Sequence, residues 1–144
     1  MTADLFKEHR TLVAAAEELL ALVRQTPPVP IEDIAQLRVR IANLALAHLR
    51  AEDEVIIRPL LASGRSHELP EASTLIAEIR SGHSVYSNHV RTWTLQAVEL
   101  DREGYAEAMV DMTDYLRRMI AREENLLYWP ALKLLNGARA QEAG

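Results

Sequence analysis

Apolar residues recur at steps of three and four along four long stretches of this 144-residue chain, and almost nothing in it alternates as a strand would. The first stripe is Leu5, His9, Leu12, Ala16, Leu19 and Val23, and it stops at Thr26-Pro27-Pro28-Val29-Pro30. The second carries Leu37, Ile41, Leu44, His48, Glu52 and Val55 and ends near Ser63-Gly64. The third follows Pro70 with Leu75, Ile79, Tyr86, Trp93, Ala97 and Leu100. Gly104 marks a break, and Met109, Met112, Leu116, Met119, Glu123 and Leu126 form the fourth. Stripes of this period belong to helices that bury one face. Four such helices on short connections predict an all-α, up-down-up-down four-helix bundle over residues 1–136, with 137–144 as a short polar tail.

Composition narrows the function. With no Cys, the chain has no disulfide, thiolate-held zinc or iron–sulfur cluster, so any metal is held by nitrogen and oxygen. The net charge of -5 and the scatter of the basic residues argue against nucleic acid as a partner. No segment approaches the roughly 20 apolar residues of a membrane span, and the charged start does not resemble a signal peptide. The expectation is a cytoplasmic protein with no membrane partner.

One phrase is written twice. His48-Leu-Arg-Ala-Glu52-Asp53 leads through an apolar stretch to Pro59, and Met119-Ile-Ala-Arg-Glu123-Glu124 leads through a similar one to Pro130. Each proline follows its glutamate by seven residues, and both sit where a helix can kink. A His and a Glu four apart share one helical face, as needed to present an imidazole and a carboxylate to one ion. The first copy keeps both groups. The second keeps the carboxylate and has Met119 in place of the imidazole.

His9, His48, Glu52 and Glu123 all lie on inward stripes, where a carboxylate is costly unless paired or bound to metal. At a rise of about 1.5 Å per residue, counting from the helix breaks puts these four at similar heights in the bundle. The same count on the third helix falls near Tyr86, with His83 and His89 three residues to either side and roughly 120° apart around the helix. Tyr86 and Tyr115 are further oxygen donors within reach of this reading. The plainer alternative for His48 and Glu52 is a hydrogen-bonded pair on a half-buried face. Asp53 and Glu124, about 100° from their neighbours, point to solvent or an adjacent helix.

The pattern resembles the hemerythrin-like (HHE cation-binding) family of carboxylate-bridged di-iron bundles. The residues that carry the resemblance are Glu8-His9, His48-Leu-Arg-Ala-Glu52, a His on the third helix, and Arg122-Glu123-Glu124-Asn-Leu-Leu-Tyr-Trp-Pro130. It implies non-haem iron, one or two ions, with His9 and His48 as terminal ligands and Glu52 and Glu123 as bridges. His83 or His89 would supply the third helix. Met119 departs from the pattern, because a thioether is a poor ligand for iron among carboxylates.

The resemblance leaves two functions open. In one, the di-iron site is incomplete, and the chain is a regulatory or binding module that has lost its metal and uses an outer surface for a partner protein or a homodimer. In the alternative, it is a functional non-haem iron protein that binds O2 or another small oxidant, or senses redox or iron state. An enzyme is the weakest reading: the Glu-x-x-His spacing of ferritin-like oxidases is missing, and no nucleophile stands out.

Overall fold

The computed structural model describes the backbone of residues 2–143 and the side chains of residues 4–137. Helix α1 spans Thr2–Val23 and α2 spans Ile31–Glu52. A π-helical segment, Asp53–Ile57, joins α2 to the short α3, Arg58–Ala62. After a turn come α4, Ala72–Thr92, and the short α5, Leu95–Leu100. Helix α6, Arg102–Glu123, runs through a second π segment, Glu124–Tyr128, into α7, Trp129–Ala143. The four rods of the bundle are therefore α1, α2 with α3, α4, and α6 with α7, and no strand occurs among the described residues.

Three boundaries differ from the sequence reading. The third stripe was expected to run unbroken to Leu100, but the helix stops at Thr92 and restarts at Leu95. The Thr94 hydroxyl accepts the Ala97 N–H as an N-cap, so a new helix is cheaper than continuing the old one. The fourth helix begins at Arg102, just before Gly104, because the Asp101 carboxylate caps the Gly104 N–H. At the far end the backbone stays helical through Asn136-Gly137 to Ala143, the stretch expected as a tail. An isolated Gly in a helix costs only about 1 kcal/mol.

Both π segments have the same cause. Proline has no N–H, and its ring clashes with the carbonyl four residues back. Pro59 therefore cannot sit over the Val55 carbonyl, nor Pro130 over that of Leu126. The ladder widens instead: the Arg58 N–H reaches the Asp53 carbonyl and the Trp129 N–H reaches that of Glu124, each five residues back. One π turn thus follows each repeated glutamate.

The core lies in two apolar blocks. One packs Leu5, Ile56, Leu60, Leu75, Leu127 and Tyr128 at the π-turn end. The other packs Leu19, Val23, Ile34, Leu37, Val98 and Tyr105 at the opposite end. Helix α1 packs along both α2 and α6, whereas α4 buries only residues of its first half: Ala72, Leu75, Ile76 and Ile79. A layer of buried polar side chains separates the two blocks.

Candidate metal centre

That layer is made of His9 from α1, His48 and Glu52 from α2, and Glu123 from α6. One ligand atom from each lies within 4.8 Å of all the others. The inward stripes and matching heights therefore bring the same four residues together. Glu52 is 1% exposed and Glu123 8%, so neither carboxylate is hydrated in the ordinary way. The imidazoles of His9 and His48 lie with ring centroids 4.4 Å apart.

Each imidazole is held from behind. His48 Nδ1 is 2.8 Å from Glu8 Oε1, and His9 Nδ1 is 2.7 Å from Glu124 Oε2. A carboxylate can only accept, so both Nδ1 atoms carry a proton, and in the neutral imidazoles both Nε2 lone pairs point into the cluster. Oriented imidazoles of this kind are the usual company of a metal ion, with a carboxylate fixing the tautomer and raising ligand basicity. Glu124 does reach an adjacent helix, as its angle from Glu123 implied.

A fifth group comes from the second π turn. The Tyr128 hydroxyl donates to Glu52 Oε2 and lies 3.3 Å from both His9 Nε2 and His48 Nε2. On an α-helix, residues five apart such as Glu123 and Tyr128 would diverge by about 140°. The π turn brings them onto one face. The equivalent position in the first copy is Ile57, an apolar core residue. Sequence reasoning named Tyr86 and Tyr115 and passed over Tyr128; the signal available was the matched glutamate-to-proline spacing, which marks a turn of altered phase.

The third helix does not contribute. His83 is exposed, one turn past Ile79, and His89 stacks on Tyr105 with centroids 5.9 Å apart in the opposite block of core. Neither joins the cluster. In α4 from Arg80 to Thr92 only Val85, Tyr86 and Val90 are apolar, and none of the helix's buried residues falls in that stretch. Tyr86 is half-buried there, and Tyr115 lines the same cavity wall as His83. Met119 faces that cavity.

Donors and acceptors in the cluster do not balance. With both imidazoles neutral, both acids ionised and each Nδ1 donating outward, four acceptor groups face inward and the Tyr128 hydroxyl offers one proton. His9 Nε2 stands 3.1 Å from Glu123 Oε2, two acceptors in contact unless something positive lies between them. Protons respond to that imbalance. Burial works against the charged form of His48, but its hydrogen bond to Glu52, that carboxylate's charge and the contact with Glu8 outweigh it and raise its pKa. Burial also raises the pKa of Glu123, and the nearby Glu52 charge adds to this against the opposing pull of His9. Tyr128 is held strongly neutral by burial and by the charges of Glu52 and Glu123.

Comparison with known families agrees with this geometry. The family model for the hemerythrin HHE cation binding domain matches residues 1–129, nearly the whole bundle. The chain belongs to that family. Searches of curated proteins and of solved structures each gave no match. The His/Glu cluster thus lies within a hemerythrin HHE domain, and Met119 stands where the second copy of the phrase would match His48.

Proposed function

We propose that this chain is a hemerythrin-like module that holds a single iron ion between His9, His48, Glu52 and Glu123, with the Tyr128 oxygen as a fifth donor. The observation that carries the reading is the surplus of inward acceptors around two imidazoles whose tautomers are fixed by Glu8 and Glu124. A cation satisfies all of them at once, and two nitrogens with carboxylate oxygens are a donor set suited to a first-row metal such as iron. Two imidazoles and two acids are few for two irons, which favours one. Bound there, iron supplies a one-electron couple and an affinity for O2 or a related small oxidant.

The protein groups then have separate tasks. His9 and His48 present nitrogen lone pairs, and Glu52 and Glu123 offset the ion's charge. Tyr128 is held neutral by burial and by its carboxylate neighbours, and a cation beside it opposes that preference. The apolar block of Leu5, Ile56 and Leu127 closes the centre to water on one side. On the other it opens toward a cavity.

One observation favours the metal-free regulatory reading: the Tyr128 hydroxyl already bridges Glu52 and both imidazoles, as a self-contained polar cluster would. Anaerobic loading with ferrous iron, followed by removal of excess metal and a melting scan with and without chelator, separates the two. The iron reading expects retained metal and a chelator-induced fall in Tm that His48→Ala abolishes. The metal-free reading expects neither.

A further inference from the structure

Beyond the His/Glu cluster the bundle is not filled. A cavity of about 720 Å³ extends from His48 and Glu52 to Arg38 and Tyr105. Ten residues of α2 separate His48 from Arg38, so it runs roughly 15 Å along the helix axis. Its cause is in the sequence. Helix α2 offers Ala35, Ala42 and Ala45 to it, and the opposing half of α4 is mostly Ser, Asn, Gly and His. Met109, Met112 and Leu116 line the side formed by α6. Val39 and Val90 stay exposed at its edge, leaving an apolar seam between α2 and α4. A volume of this size accommodates a whole small-molecule ligand.

At the end remote from the cluster a positive charge has no counter-charge. Arg38 Nη1 is buried without any hydrogen-bond partner, and Nη2 reaches only the Val90 carbonyl at 3.5 Å, beyond a good hydrogen bond. Its guanidinium lies 5.6 Å from the centre of the Tyr105 ring. His89 Nε2, on the ring stacked against the same tyrosine, is also buried and unpartnered. Two polar groups left unsatisfied around one tyrosine ring are uncommon in a native interior, and each costs stability until a partner arrives. An arginine fork matches a carboxylate in two-point geometry.

We propose that the cavity binds an unbranched aliphatic carboxylate, a fatty acid, with its carboxylate on Arg38 and His89 and its chain lying along Met109, Met112 and Leu116 toward the His/Glu cluster. The polarity of the cavity sets this orientation. The end near Glu52 and Glu123 repels an anion in the metal-free protein, while the Arg38 end attracts one. Methionines suit such a chain, since their flexible side chains repack around it. The proposal concerns the apolar cavity and holds whether or not iron occupies the cluster.

The test uses chelator-treated protein carrying Trp129→Phe, so that Trp93 is the sole tryptophan. Its ring lies 5.4 Å from that of Tyr105, at the proposed head-group end. Titration with dodecanoate below its micelle concentration should give saturable binding at one molecule per chain, with dodecanol at least about tenfold weaker. Arg38→Met should bring dodecanoate down to the dodecanol level, and Arg38→Lys should restore part of the difference. Ala45→Phe, which plugs the middle of the cavity, should abolish binding of both while the helical circular dichroism is kept. Equal binding of acid and alcohol, an Arg38→Met variant that binds dodecanoate like the parent, or no saturable binding would overturn the proposal.

Discussion

The two copies of the glutamate-to-proline phrase share a backbone and differ in what they bring to it. Both are followed by a π turn forced by a proline, Pro59 or Pro130. In the first, the imidazole sits one turn before the glutamate, at His48, and the π turn delivers only the apolar Ile57. In the second, position 119 is a methionine and the π turn delivers Tyr128 into the cluster. The polar donor has moved from four residues before the glutamate to five residues after it. A helix can supply the same centre from either side of its carboxylate, provided a π turn restores the phase.

The largest effect expected is from breaking the first copy. Glu52→Ala or His48→Ala should abolish iron retention, measured as metal per chain after gel filtration. Glu52→Ala should also destabilise the metal-free fold by about 1–3 kcal/mol, because the Tyr128 hydroxyl and His48 lose their buried partner. Chemical denaturation checks that cost.

Acid should come next. His48 and Glu123 both keep protons to higher pH than ordinary side chains of their kind. An ion must displace those protons, so iron affinity should fall as the pH is lowered through the range where they are taken up, and binding should release protons. Competition with a chelator across pH measures the slope. A flat profile would show that neither group is a ligand.

Removing a carboxylate from behind an imidazole tests whether the two copies are supported alike. Glu8 orients His48, and Glu124, from the second copy, orients His9. Glu8→Gln and Glu124→Gln should each weaken iron binding about 10–100-fold. The prolines give the smallest and most discriminating effect. Pro130→Ala should let the π turn relax toward an α-helix, carry Tyr128 off the site and weaken binding severalfold. Pro59→Ala should leave affinity unchanged, since Ile57 offers no donor. Equal effects of the two would erase the distinction between the copies.

Periodicity made the bundle legible, and inward-facing polar residues made the heart of the centre legible. His9, His48, Glu52 and Glu123 stand on stripes of period three to four, and counting from the helix breaks placed them at one level. What stayed hidden had two causes. Tyr128 depends on a residue-scale change of phase, so a wheel drawn at about 100° per residue sends it to the wrong face. His83 and His89 depend on which faces α4 turns to its neighbours after Ile79, where few apolar side chains mark an inward stripe: His83 faces out, and His89 packs on Tyr105 instead of joining the cluster. The break at Thr94 was missed because one capping hydroxyl outweighed a continuing stripe. Glu8 and Glu124 are a plainer lesson: each sits beside an inward residue on its own helix and reaches across to hold a histidine on another.

One iron among these four ligands, with Tyr128 beside them, is the arrangement proposed. Metal analysis of iron-loaded protein, with its visible spectrum after oxidation, tests it most directly. The expected result is one iron per chain and a phenolate-to-iron charge-transfer band that Tyr128→Phe removes while most of the iron is retained. No bound iron, or iron whose spectrum is indifferent to Tyr128→Phe, would contradict it.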